Sequence, residues 1–241
     1  MKKNNVSSPL WVMIKREFST YFVSPIPYIV IGLFLIFSGF LFFSTFFLIG
    51  RADLRQFFST LPLLFAFFIP AITMRMFSEE ERSGSLETLL TLPVTITEVV
   101  LAKYFSALLF TVTMLLPTIF YGITTALFGN PDIGPIIGGF LGAILLGASF
   151  SGIGIFASAS TKNQIIAFFI AFAICIGLTM IDNFLFLLPS ELTNILSFFS
   201  ATNHFQSISK GIIDSRDILY FASIIVIFVE LTIIRFQSKR A

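Results

Sequence analysis

Cysteine, histidine and charge are all scarce in this chain, and each scarcity narrows what it can be. One cysteine, Cys175, and one histidine, His204, stand among 241 residues. A single thiol cannot build a disulfide framework within a chain. A metal centre of protein ligands needs more imidazole and thiolate than this, so no metal or other cofactor is expected on the chain. Enzymatic chemistry by convergent acid, base or metal groups has equally little to draw on. Asp, Glu, Lys and Arg make up only 12% of the residues, where a soluble domain carries about 25%. The formal net charge is +2, and no block of Lys and Arg interleaved with aromatics occurs, so nucleic acid is not an expected partner. A G-x-x-x-x-G-K-[ST] loop is missing, which closes that route to cradling nucleotide phosphates. Residues 1–8 are polar, and Lys15, Arg16 and Glu17 interrupt the apolar positions that follow, which does not suit a signal peptide.

What the chain has in abundance is apolar length. Hydrophobic residues reach 56% and Phe alone counts 33. The apolar residues run continuously rather than alternating, which excludes a β-barrel pattern and predicts an all-α integral membrane protein. Six stretches reach the roughly 20 residues that a spanning helix needs: 27–49, 57–76, 99–128, 136–159, 164–188 and 218–235. The third is overlong, so part of it is expected to extend beyond the bilayer on the inner side.

Orientation follows from Lys and Arg. With the N-terminus inside, the inner side takes Lys2, Lys3, Lys15, Arg16, Arg75, Arg82, Lys103, Lys162, Arg235, Lys239 and Arg240. The outer side keeps Arg51, Arg55, Lys210 and Arg216. That asymmetry predicts both termini and the 83–93 stretch on the cytoplasmic side, with Asn130 and Ser207 outside.

The segment before the first span is patterned too. Ser8-Pro9 reads as an N-cap followed by Pro at the first helical position. Trp11, Ile14, Phe18, Tyr21 and Phe22 then share one face, with Lys15, Arg16 and Ser19 over the other, until Pro25 and Pro27 stop the helix. This predicts an amphipathic elbow helix in the inner interface, within residues 1–26, ahead of a six-span domain over 27–241.

Segment 77–98 is the polar interruption between two apolar runs. It contains Glu79, Glu80 and Glu81, a turn at Ser83-Gly84-Ser85, and then Leu86, Glu87, Leu89 and Leu90 before Pro93. The three leucines fall on one face of a short helix. Nothing of their own chain is placed to cover them in water, so a protein partner is expected there. Thr95-Ile96-Thr97-Glu98 is a capping box that opens the next helix.

The run E-E-R-S-G-S-L-E-T-L-L-T-L-P-V-T-I-T-E-V-V-L-A-K, ending at Lys103, resembles the signature of ABC-2 type transporter permeases. It is similar more narrowly to the branch that includes the gliding-motility ABC transporter permease. K-R-E-F-S-T-Y-F-V-S-P-I-P-Y (15–28) and N-H-F-Q-S-I-S-K-G-I-I-D-S-R-D (203–217) agree with it, so the resemblance covers nearly the whole chain. It implies a dimer of six-span subunits in the bacterial inner membrane, homodimeric or heterodimeric. It also implies that segment 77–98 is a cytoplasmic coupling helix docking on a separate ATPase, where ATP and Mg would be bound. A fused ATPase domain does not fit in 241 residues. The function expected is therefore a permease subunit, an exporter by resemblance. An ion- or proton-coupled secondary transporter is the alternative, but the midplane polar sites and internal repeat it would need are not evident.

Two further sets of residues stand out. Gly138, Gly142, Ser149 and Gly152 form one stripe of the fourth span, suited either to a dimer or translocation-path face or to close packing inside one bundle. Segment 189–216 is too apolar for a free loop and too interrupted to span. It reads as two short outer helices over 192–199 and 205–213, broken at Ala201-Thr202-Asn203-His204, and it resembles the re-entrant helices of the same permeases. Asn203, His204 and Phe205 are expected at that break with Gly211 nearby, and His204 is read as an interfacial hydrogen-bonder. Glu230 with Arg235, Arg75, and Asp182 are read as interfacial charges, paired or snorkelling, rather than a proton relay.

Overall fold

Apolar runs of this length can satisfy their backbone in lipid only as helices, and helices are what they form. The structure, a computed structural model, describes residues 9–49, 53–85, 94–129, 131–184 and 196–240. Among these residues there is no strand. The elements in order are α1 (Pro9–Tyr21), α2 (Ile26–Ile49), α3 (Arg55–Thr73), α4 (Ser78–Ser83) and α5 (Ile96–Leu115). A 3-10 turn (Leu116–Thr118) leads into α6 (Ile119–Phe128), α7 (Ile133–Ser160), α8 (Gln164–Phe184), α9 (Ala201–Ser209) and α10 (Ser215–Arg240). Six helical stretches are long and apolar enough to cross a membrane. This is a multi-pass, all-helical membrane protein. Leu86, Glu87, Leu89, Leu90, Ser8, Asn130 and residues 189–195 lie outside the described residues.

Proline decides several boundaries. Pro27 lies in the first turn of α2 and so begins that helix, where its missing N–H costs nothing, rather than stopping the one before it. The overlong third span is present as one apolar stretch, Ile96–Phe128, with a step at Pro117, whose ring and absent N–H turn Leu116–Thr118 into a 3-10 turn before α6 resumes. The Thr118 hydroxyl donates to the Leu115 carbonyl there (2.7 Å). The capping box forms as the sequence predicts: Thr95 Oγ1 accepts from the Glu98 N–H (3.2 Å) and Glu98 Oε2 from the Thr95 N–H (2.9 Å).

The bundle is built around α7. Within its most apolar window 72% of residues are buried, against 22% for both α2 and α8, so α7 is the central helix and those two lie at the periphery. Helices α3, α5, α8, α9 and α10 all pack on it. They approach closely because α7 carries glycine where neighbours press in. A Cβ on Gly138 would stand 2.3 Å from the Ile208 carbonyl oxygen of α9. One on Gly142 would meet Phe205 at 3.2 Å. Ser149 donates to the Phe221 carbonyl of α10 (3.2 Å), and Gly152 faces Ile225 and Phe228 at an unhurried 3.8 Å. The stripe thus meets α9 and α10 of its own chain. Gly139 against Phe58, Gly147 against Thr111 and Gly154 against Thr73 are equally tight and belong to a second face. That face is spaced off the stripe, which is why a single-stripe reading passes over it.

The glycines differ in what a methyl group would cost. Gly138→Ala meets backbone that cannot step aside, and is expected to destabilise by about 1–3 kcal/mol. Gly152→Ala meets only ordinary contacts and gains helix propensity. Thermal unfolding of the detergent-purified protein should show a midpoint several degrees lower for Gly138→Ala and unchanged or higher for Gly152→Ala. Equal behaviour of the two would contradict the packing described.

Candidate functional site

The polar segment after α3 does not hang free. Its first residues turn back onto the bundle, and α4, a helix the sequence does not announce, carries Glu79, Glu80 and Glu81 in its first turn. Carboxylates suit that position, where unpaired backbone N–H groups point outward. Gly84 ends the helix in the left-handed region (φ 75°), and the hydroxyls of Ser83 and Ser85 meet at 2.9 Å beside it.

Three contacts seat this turn. Phe77 is fully buried with its ring 4.7 Å from that of Phe236 on α10. The N–H groups of Phe77 and Ser78 both donate to Ser158 Oγ on α7 (3.0 and 3.1 Å). Ser158 Oγ in turn donates to the Met74 carbonyl (2.9 Å). Lys103 of α5 completes the arrangement. It is 2% exposed, lies 5.2 Å from the Phe77 ring centroid, and donates to Glu80 Oε1 (2.7 Å) and Glu17 Oε2 (3.1 Å). Glu17 also accepts from Arg16 (2.9 Å). One ammonium therefore joins α1, α4 and α5.

Of the residues singled out from sequence here, Glu80 is paired with Lys103, Glu79 is exposed and Glu81 is half-buried. Sequence reasoning missed Glu17, Lys103 and Ser158 as members. The available signal was Lys103 itself, because a lysine eight residues into a long apolar helix requires a carboxylate from another element. Arg235, expected near Glu230, instead donates to the Ala159 and Ser160 carbonyls (both 3.2 Å), closing the C-terminal end of α7.

At the opposite end of α7 residues 196–217 are arranged around α9. Asn203, His204 and Phe205 do not lie at a break. They fall inside α9, which Ser200 caps by accepting from the Asn203 N–H (3.2 Å). The interruption is at Ser200, after residues 196–199, which are helical too. The reason is capping chemistry: the serine hydroxyl satisfies an N-terminal amide, so Ala201-Thr202-Asn203-His204 begins a helix instead of breaking one. His204 is buried, its Nδ1 2.6 Å from Asp217 Oδ1 and its Nε2 2.9 Å from the Phe198 carbonyl. Its ring stacks on Tyr220 at 4.1 Å. Phe205 is fully buried against Gly142 and Phe58. Gly211 takes φ 85°, a turn only glycine enters readily, with its Cα pressed towards Gly138. Asp217 and Ser200 went unrecognised in sequence because Asp217 lies in a different helix and Ser200 looked like linker.

A six-span helical chain with an acidic segment pinned to one end and a short capped helix packed at the other has the shape its sequence motifs suggest. The family model described as an ABC-2 family transporter protein matches residues 13–238. The chain belongs to the ABC-2 family of transporter proteins. Members of this family are membrane transport components and not themselves catalytic, and they normally work with an ABC ATPase. No curated protein matches the chain.

In this ABC-2 protein the Lys103 pairing has a measurable pH signature. Burial alone would raise the Glu17 carboxyl, but Lys103 and Arg16 outweigh it and hold the group below its ordinary value of 4.5. A carboxyl depressed by folding contributes stability above its unfolded value, and that contribution is lost as pH falls through the folded value. Glu17→Gln is therefore expected to cost about 1.5–3 kcal/mol near neutral pH, the range for a charged hydrogen bond. The deficit should shrink as pH falls below 4.5. Thermal unfolding of both proteins across that range checks it, and a deficit that does not change with pH would contradict the ion-pair account.

Proposed function

We propose that this chain is the transmembrane permease subunit of an ABC transporter working in the export direction, within the gliding-motility-like branch of its family. It is driven by ATPase subunits on separate polypeptides, which hold ATP and Mg. Segment 77–98 is the coupling element: Leu86, Leu89 and Leu90 enter a groove on the ATPase, and Glu79, Glu81 and Glu87 meet basic residues around the rim, while Glu80 is held by Lys103 at the root of the segment. The observation that carries this reading is the Lys103 linkage. The root of an acidic, water-seeking segment is tied by one buried ammonium to α1, α4 and α5, and through Phe77 and Ser158 to α10 and α7. A displacement imposed on the segment is thereby handed to the spans.

The remaining assignments follow from this. Both termini and segment 77–98 face the cytoplasm, a sidedness that the Lys/Arg asymmetry supports, and the membrane is the bacterial inner membrane that the family resemblance implies. Residues 1–26 contain the elbow, α1, which is too short and polar to span. Ile14 is buried, and Phe18, Tyr21 and Phe22 pack on the core, while Lys15, Arg16 and Ser19 are exposed. Trp11, expected on the apolar face with Ile14, is 57% exposed, which suits a headgroup-layer position for that face. Residues 27–241 form the six-span domain, with segment 189–216 as its outer re-entrant element. Asn203, His204, Phe205 and Gly211 seal the outer end of the path, and Gly138, Gly142, Ser149 and Gly152 hold α7 against the helices that form it. Two such chains make the working transporter, and membrane lipid surrounds them.

Burial of one leucine contributes about 1.5–3 kcal/mol, whereas exposed ion pairs contribute about 0–1 kcal/mol. Affinity therefore belongs to the leucines, and register to the carboxylates. Leu86→Asp combined with Leu89→Asp is expected to weaken ATPase capture by at least about a hundredfold, with membrane insertion unaffected. Glu87→Gln should still bind. A pull-down of the ATPase with each variant decides the matter, and wild-type binding by the double leucine variant would remove this segment as the docking element.

A further inference from the structure

At the end of the bundle that carries Lys103, a cavity of about 510 Å³ opens between α1, the start of α2, the end of α3, α4 and α5. That volume lies within the ~300–1,000 Å³ of small-molecule sites. Its walls are of two kinds. Val23, Pro27, Val30 and Ile72 are apolar, and Glu17, Arg75, Glu79 and Glu80 carry charge. Pro27 and Val30 of the lining share α2 with the exposed Ile29 and Leu33, so an acyl chain leaving the cavity there would continue along an exposed apolar helix.

Three polar atoms in this lining are buried without a hydrogen-bond partner: Tyr21 Oη, Arg75 Nε and Glu80 Oε2. Two of these are donors and one is an acceptor. Burial, and then the Glu17 carboxylate, keep the Tyr21 phenol protonated, so it remains a donor. Lys103 is already shared between Glu17 and Glu80 and has no need of an added anion. Carboxylates outnumber cations three to two across the lining, which disfavours a ligand carrying negative charge alone. What satisfies all three atoms is an anionic group for Arg75 and Tyr21 joined to an N–H-bearing cation for Glu80 and Glu79.

We infer that this cavity binds a zwitterionic phospholipid with a primary ammonium, a phosphatidylethanolamine, through its headgroup. The phosphate accepts from Arg75 and Tyr21, the ammonium donates to Glu80 and Glu79, and the glycerol and upper acyl chains lie between Val23, Val30 and Ile72. Phosphatidylcholine offers the same charges but has no N–H for Glu80. Phosphatidylglycerol brings a phosphate but no ammonium for Glu80, and so adds negative charge to a lining in which three carboxylates already face two cations. The site needs only that this end of the bundle lies at a membrane surface, and is independent of whether an ATPase docks nearby.

The test uses the full chain, purified and delipidated, titrated with the three phospholipids carrying identical acyl chains and read by native mass spectrometry. Phosphatidylethanolamine should be retained about tenfold more tightly than either other lipid, the scale of one charge-assisted hydrogen bond. Arg75→Gln should lower its retention by a similar factor, and Glu79→Gln should narrow the preference over phosphatidylglycerol. Ala71→Phe should displace the lipid by filling the cavity without altering any charge. Lys162→Gln, on an exposed turn outside the cavity, should bind as wild type. Equal retention of the three lipids by the wild-type protein would overturn the inference, whatever the variants do. So would an unchanged phosphatidylethanolamine adduct in folded Ala71→Phe.

Discussion

A single buried ammonium organises the polar end of this molecule. Lys103 is carried into the bundle on α5, in an otherwise apolar stretch, where an unpaired cation would cost several kcal/mol. The cost is offset only if carboxylates come to it, and they come from two different elements, Glu17 of α1 and Glu80 of α4. That requirement fixes where the N-terminal helix crosses the bundle and where the acidic helix begins. Phe77 beneath the ammonium and Ser158 beneath the turn then seat the chain on α10 and α7. Losing Lys103 would leave two carboxylates facing one another, so the arrangement stands or falls as a unit.

The second constraint is the closeness of α7 to its neighbours. From Gly138 to Ser158 the helix rises about 30 Å, close to the thickness of a bilayer's hydrocarbon core. Its two ends therefore serve opposite membrane faces. At one end Gly138 and Gly142 admit the backbone of α9 and the ring of Phe205. At the other, Ser158 binds the turn leading to the acidic segment. Helix α9 is further locked by the His204–Asp217 contact and the Tyr220 stack. A central helix packed against polar elements at both ends gives the proposed coupling a continuous route between the two faces. This is what alternating exposure of a path through the membrane requires.

Much of this was legible in the sequence because lipid leaves the backbone few choices. The spans follow from apolar length, the start of α5 from the Thr95–Glu98 box, and the family from the run ending at Lys103. What was not legible depends on contacts between distant elements. No local pattern ties Glu17 to Lys103, 86 residues away, or His204 to Asp217. The break expected at Asn203 and His204 was misplaced because a serine N-cap and a loop serine look alike until the helix after it is seen. Periodicity groups Trp11 with Ile14 on one face, but it does not report that the bundle covers Ile14 and leaves Trp11 exposed. Pro117 is a different case: apolar continuity reports the third span, Ile96–Phe128, but not the 3-10 step that the proline puts inside it.

The claim that movement enters through segment 77–98 is most directly tested by hydrogen–deuterium exchange on the purified protein with and without the ABC ATPase proposed to drive it. The account predicts that bound ATPase protects amides within 86–93 and slows exchange at 77–85, where the Lys103 and Ser158 contacts transmit the constraint, while Lys103→Met retains the first effect and loses the second. Unchanged exchange across 77–98 with the ATPase demonstrably bound would contradict it.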